Sequence, residues 1–232
     1  MSDVAVTDAE PPLAERLDAV RAGVADAARA AGRDAHEITT VVITKFHPAS
    51  LVRSLAGLGV SDFGENRHQD AAPKAAELAD LDLTWHFVGQ LQSNKARAVA
   101  QYASVLHSVD RPSLVDAIAA TAVPLEVFLQ LNLTDDPQRG GVNPAELASL
   151  VRRVLAVPTV RLRGLMAVAP LGAEPREAFA KVRLASERIQ EIAPDATALS
   201  MGMSADFREA VLEGATHLRV GTAITGKRPE AG

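Results

Sequence analysis

Apolar positions along this chain switch between two periods. From Leu13, the residues Leu13, Leu17, Val20 and Val24 recur at helical spacing, and the pattern stops at Gly32. Then comes Thr39-Thr40-Val41-Val42-Ile43-Thr44, a β-branched run with no polar alternation, which predicts a strand covered on both faces as in a parallel sheet. Pro48 opens a helix over 49–58 and Gly59 closes it, so the strand is followed directly by a helix. That unit repeats. Further strands are predicted over 60–63, 83–88, 105–109, 125–131, 160–168, 197–201 and 217–220. The helices between them are predicted over 65–79 (tolerating Pro73), 93–101, 112–121, 144–155, 174–192 and 205–212. No Pro/Ser-rich linker or charge block divides the series. Consecutive strand–helix units demand a parallel sheet, and eight of them predict a single closed (β/α)₈ TIM barrel over 12–228, between a leader at 1–11 and a tail at 229–232. The competitor is an open doubly wound sheet, but no Gly-x-Gly-x-x-Gly follows the first strand.

Composition narrows the function. With 47% hydrophobic and 23% charged residues in 232, the chain has the usage of a packed globular domain. It contains no cysteine, which excludes disulfides, thiolate catalysis and Cys-ligated metals. Net charge is −5, from 24 Lys+Arg against 29 Asp+Glu, and only one Trp, one Tyr and six Phe are present. Neither a broad phosphate-backbone surface nor a base-stacking platform fits those counts, so no nucleic-acid partner is expected. No apolar run approaches the roughly 18–20 residues that span a bilayer, and the N-terminus lacks a secretory pattern. A soluble, cytoplasmic protein is expected.

In a barrel of this kind, active sites lie at the C-terminal ends of the strands. Lys45 ends the first predicted strand, where an amine over an apolar floor is a Schiff-base candidate or, more plainly, a solvated lysine. Glu65 and Asn66 close the second strand. Asn66 suits a planar ligand or the cap of the next helix. His86 lies mid-strand and reads as a satisfied core histidine, and the six histidines are scattered one per segment without metal spacing. Two late segments form a candidate anion site: Ser200-Met201-Gly202-Met203-Ser204, which leads into a helix, and Gly221-Thr222 after the last strand. Arg219, inside that strand, needs a partner if it is buried.

Seven strings occur in order: Thr44-Lys45, Phe-Gly-Glu-Asn at 63–66, Trp-His-Phe-Val-Gly at 85–89, Leu-Gln-Ser-Asn-Lys at 91–95, Arg-Gly-Leu-Met at 163–166, Leu-Ser-Met-Gly-Met-Ser at 199–204 and Arg-Val-Gly-Thr-Ala-Ile at 219–224. Together they resemble the pyridoxal phosphate homeostasis protein family, over nearly the whole chain. The resemblance implies a barrel of the alanine racemase N-terminal-domain type holding pyridoxal 5′-phosphate as an internal aldimine. Carried over by motif, Lys45 is similar to the Schiff-base lysine and Arg219 to the arginine facing the pyridine nitrogen. Ser200, Gly221 and Thr222 match the phosphate cradle, with Gly202, Met203 and Ser204 beside it, and Asn66 and Met166 match positions lining the ring. His47, Arg139-Gly140-Gly141 and Thr225 depart from residues that many members carry.

Three functions are consistent with these residues. The resemblance implies a protein that buffers or delivers the cofactor, with PLP-dependent apo-enzymes as partners and without robust turnover. A racemase-like enzyme would need a second base, and Tyr102 is the single tyrosine. An unrelated phosphate-metabolite enzyme would need a carboxylate base, for which Glu65 and Asp110 are the candidates. No dimerisation element is recognisable, so a monomer is expected.

Overall fold

In the computed structural model, residues 11–134, 136 and 139–228 are described, so the leader and the tail read from the sequence fall, apart from Pro11, outside the described residues. Among the described residues there are eight strands: β1 Thr39–Ile43, β2 Asp62–Glu65, β3 Thr84–Phe87, β4 Val105–Val109, β5 Leu125–Gln130, β6 Val160–Met166, β7 Ala198–Ser200 and β8 His217–Val220. All neighbouring pairs are parallel and β8 pairs back onto β1, with Thr39 opposite His217 and Val41 opposite Arg219. The barrel is closed, and the expected fold is what the chain adopts.

Helices cover the outside: α1 Leu13–Ala30, α2 Ala49–Gly57, α3 His68–Glu77, α4 Ala96–Val99, α5 Pro112–Ala119, α6 Leu147–Leu155, α7 Pro175–Gln190, α8 Phe207–Leu212 and α9 Thr222–Thr225. The second unit starts later than its pattern predicts. Its strand is Asp62–Glu65 and its helix begins at His68, because Glu65 is drawn into the sheet by bonds to its neighbours described below. Pro73 sits inside α3 on its exposed face, where water can satisfy the carbonyl that loses its amide partner. The Gly221-Thr222 turn proves to open a short helix, α9.

Strand alternation sorts side chains between two cores. Val42, Phe63, Leu106, Val127, Leu129 and Leu165 point outward to the helices and form the large core. A small apolar cluster of Val105, Phe128, Met166 and Ala198 fills part of the barrel interior. Gly64 makes room for that interior: a Cβ there would lie 2.4 Å from Ile43 Cδ1 and 3.1 Å from Val41 Cγ1. Beside these apolar side chains the interior holds a polar group, His86, His107, Ser200, His217 and Arg219, all buried. That is unusual for barrels whose interiors are dominated by branched apolar residues.

Candidate cofactor site

At the C-terminal mouth, β1 ends at Ile43 and the chain turns through Thr44. Thr44 is fully buried and donates its hydroxyl to Glu65 Oε1 at 2.7 Å, and its backbone N–H bonds Gly64 O at 3.1 Å. The Lys74 ammonium from α3 reaches the same Glu65 oxygen and also donates to Thr44 O at 3.0 Å. This buried pair, with Lys74 7% and Glu65 1% exposed, pins the strand end from behind.

Lys45 follows the pinned residue in the register of Val41 and Ile43. Because the strand has already ended, its amine is solvent-exposed at the mouth rather than enclosed over an apolar floor. Phe46 next to it adopts φ 69°, the left-handed region that bulky side chains rarely enter. Its ring is faced by three cations: Arg228 at 3.8 Å, Arg67 at 5.5 Å and Lys45 Nζ at 5.9 Å from the centroid.

Arg219 is 6% exposed. It donates from Nη1 to Ser200 O and Oγ, both at 2.7 Å, and from Nη2 to Ala167 O at 2.8 Å. These bonds answer the need for a partner that its burial creates. Burial lowers its pKa to about 10, against the pull of Asp206, so it remains a cation at neutral pH.

The anion-binding candidates separate on inspection. Ser204 Oγ accepts from Thr222 Oγ1 and from Ala223 N–H, each at 3.4 Å, so two hydroxyls and a backbone donor converge beside Gly221. Gly202 has φ 91°, and a Cβ there would lie 2.6 Å from Ala210 Cβ, so glycine lets this loop close onto α8. Met203 is half-exposed and its N–H is held by Asp206 Oδ1 at 2.6 Å. Ser200 lies deeper, fully buried on β7, with its hydroxyl shared between Arg219 and His107. Met166 is likewise inside the barrel, opposite Ser200 across the β6–β7 pair. Asn66 is partly buried at the end of β2, and its buried Oδ1 has no hydrogen-bond partner. An amine, a fixed cation, two converging hydroxyls and an unsatisfied amide oxygen suit an aldehyde-bearing, phosphorylated aromatic ligand such as pyridoxal phosphate.

The carboxylates considered as bases are otherwise engaged. Glu65 is held by Lys74 and Thr44, and Asp110 accepts from Arg111 at 2.6 Å and from Gly141 N–H at 3.2 Å. Tyr102 packs outside the barrel with its ring centroid 5.9 Å from that of His68. Burial and the nearby Glu65 charge raise its pKa, so it is a poor base.

Sequence reasoning missed how the interior histidines connect. His107 bonds Ser200 Oγ through Nδ1 at 2.8 Å and His86 Nδ1 through Nε2 at 2.9 Å, and His86 Nε2 bonds Asp62 Oδ1 at 3.0 Å. Burial, reinforced by the nearby Arg219 cation, holds the His107 pKa well below the ordinary imidazole value. Burial similarly lowers His217 to about 3. Both histidines are neutral when folded and take up a proton when unfolded. Stability is therefore complete above the unfolded pKa of about 6.5 and falls as pH drops below it, by about 1.4 kcal/mol per pH unit for each group. Urea titrations at pH 7, 6 and 5 are expected to show that decline, and the slope to be shallower in His217→Gln.

With the geometry in view, comparison with known proteins identifies the chain's relatives. Residues 16–229 match the family model described as "Alanine racemase, N-terminal domain". The chain is 41% identical over 223 residues to the pyridoxal phosphate homeostasis protein of Pseudomonas aeruginosa, covering 93% of this chain and 96% of that one. It is 42% identical over 241 residues to the Mycobacterium leprae protein of the same name, covering 94% of each. The structure of PipY from Synechococcus elongatus, with PLP bound, superposes with a TM-score of 0.82 at 37% identity, covering 93% of this chain and all of that one. By sequence over nearly its whole length and by its closed barrel, the chain belongs to the pyridoxal phosphate homeostasis protein family.

Proposed function

We propose that this protein binds pyridoxal 5′-phosphate at the C-terminal mouth of the barrel, covalently through a Schiff base to Lys45, and serves to buffer or deliver it without robust turnover. The observation that carries this reading is the gathering of Lys45, Arg219 and the Ser204–Thr222 hydroxyl pair at one end of a barrel from this family. Ser204, Thr222 and the backbone about Gly221 and Ala223 receive the phosphate, with Gly202 and Met203 shaping their loop. Asn66 supplies its unsatisfied oxygen at the ring's edge. Met166 and Ser200 form the floor, with Ser200 acting through Arg219 rather than on the phosphate.

When bound, the cofactor supplies an electrophilic carbon for the lysine and an electron-withdrawing ring. The protein's own residues restrain that chemistry. Arg219, pinned on three acceptors, holds a fixed positive charge toward the ring-nitrogen position and opposes protonation there. Among the described residues, the candidate bases Glu65, Asp110 and Tyr102 are committed elsewhere rather than opposite Lys45. These features favour storage over a racemase or a phosphate-metabolite enzyme. Among the described residues no helix is long and apolar enough to cross a membrane. The proposal places the protein in the cytoplasm as a monomer, with PLP-dependent apo-enzymes as recipients.

The test is the absorption spectrum of the purified protein with added pyridoxal phosphate, before and after borohydride, followed by peptide mapping. A visible band that reduces to a stable adduct on Lys45 is the expected result. A protein that takes up no cofactor overturns the reading. Arg219→Glu is expected to shift the band and weaken binding about tenfold or more, through loss of a charged hydrogen-bond donor. An unchanged spectrum would remove Arg219 from the site.

A further inference from the structure

A continuous hydrogen-bonded chain runs through the barrel from Arg219 to the opposite end. Its links are Arg219 Nη1 to Ser200 Oγ at 2.7 Å, Ser200 Oγ to His107 Nδ1 at 2.8 Å, His107 Nε2 to His86 Nδ1 at 2.9 Å and His86 Nε2 to Asp62 Oδ1 at 3.0 Å. Ser200, His107 and His86 are buried. Asp62 is one-quarter exposed and lies in a cleft of about 600 Å³ at the N-terminal face, lined also by His36, Thr39, Thr40 and Ser61.

The carboxylate end fixes the direction of the protons between the two ends as long as both imidazoles carry a single proton. Arginine only donates, and an ionised carboxylate only accepts. Burial disfavours the Asp62 carboxylate, but hydrogen bonds from His86 and Ser61 outweigh it and hold its pKa below the ordinary value. A singly protonated His86 therefore donates from Nε2 and accepts at Nδ1, so His107, with one proton, donates from Nε2 and accepts at Nδ1. That leaves Nδ1 of His107 to receive the Ser200 proton, and the Ser200 lone pairs to receive Arg219. His107 is packed against Phe128, ring centroids 4.7 Å apart, and cannot turn away freely. The neighbouring His217 bonds Thr216 Oγ1 and stands outside the chain.

We infer that Asp62 is a positioning residue for Arg219: through His86 and His107 it fixes one direction of hydrogen bonding, so that the Ser200 hydroxyl gives its proton to His107 and turns its lone pairs to the guanidinium. An amide in place of the carboxylate can donate to His86 Nε2. His86 then carries its proton on Nδ1, His107 carries its proton on Nδ1, and Ser200 receives donors from both sides while its own proton loses its acceptor. A carboxylate-to-amide change that leaves geometry intact is known to act through the wrong imidazole tautomer. The consequence for a bound ligand rests on the proposed function above, because Arg219 is there the group nearest the ring nitrogen.

The experiment has two readouts. In the cofactor-free protein labelled with ¹⁵N-histidine, long-range ¹H–¹⁵N correlation reports which ring nitrogens carry protons. Wild type is expected to show His107 and His86 protonated on Nε2 only. Asp62→Asn is expected to lose that pattern and Asp62→Glu to retain it. With pyridoxal phosphate added, Asp62→Asn is expected to bind about tenfold more weakly, with a shifted band, and Asp62→Glu to behave as wild type. A wild-type His107 protonated on Nδ1 would overturn the inference without any variant, and so would an unchanged pattern in Asp62→Asn. Altered tautomers with unchanged affinity and spectrum would overturn the link to Arg219. Failure of wild type to bind the cofactor counts against the proposed function and leaves the tautomer result to decide the relay.

Discussion

Lys45→Ala is expected to fold normally and to lose covalent capture of pyridoxal phosphate entirely. The folding half of that expectation follows from exposure: the side chain stands in solvent past the end of β1, so removing it opens no cavity and breaks no buried bond. The binding half follows because an imine needs an amine. The other lysine near the strand end, Lys74, is buried on the helix side with its ammonium committed to Glu65 and Thr44. Residual non-covalent affinity through the phosphate loops should survive, measurable by equilibrium dialysis. An intact borohydride-stable adduct in Lys45→Ala, mapped to any other residue, would remove Lys45 from the role proposed for it.

Lys74→Met is expected to cost about 3–5 kcal/mol, the usual penalty for stripping one partner from a buried ion pair. Glu65 is nearly inaccessible and its Oε2 already lacks a partner, so without Lys74 the carboxylate retains only the Thr44 hydroxyl. Urea denaturation should show the loss as a lower midpoint with an unchanged slope. The double variant Glu65→Leu with Lys74→Met is expected to recover most of it, because replacing both charges with apolar groups removes the desolvation cost together with the attraction. If the double variant were as unstable as the single one, Thr44 rather than the ion pair would be the element that matters. The single variant should also capture cofactor more slowly, since Thr44 fixes where Lys45 leaves the strand.

Much of the architecture is legible in the chain because parallel strands and amphipathic helices leave different periods. Val41-Val42-Ile43 is covered on both faces, and the helices carry their apolar stripes on one side only. The misplaced boundary at β2 has a local cause: Glu65 and Asn66 read as a helix start, but a buried ion pair with a residue nine positions on draws Glu65 into the strand. The proposed site was legible as a set of strand ends: Lys45 follows β1, Ser204 lies past β7, Thr222 lies past β8 and Arg219 is inside β8. Ser200 falls within the predicted strand, and its parity with Ala198 on β7 puts it on the inward face. The relay was not legible. His107 within Val105–Val109, and His217 beside Arg219, sit at inward positions that a strand-by-strand reading can note. Which of them meet is decided by the closure of eight strands, a relation between elements far apart in sequence.

The same closure has a consequence for how the protein comes into being. β1, which delivers Lys45, hydrogen-bonds to β8, the strand that carries Arg219 and leads into Thr222, and Arg16 at the start of α1 clasps Ile224 O in α9 at 2.8 Å. A nascent chain extruded from the ribosome therefore exposes Lys45 long before the loops of the proposed phosphate cradle exist. Under the proposed function, loading follows synthesis. A chain stalled before its eighth strand would carry the lysine but no pocket, and such a fragment would compete for free aldehyde only as any solvent-exposed amine does.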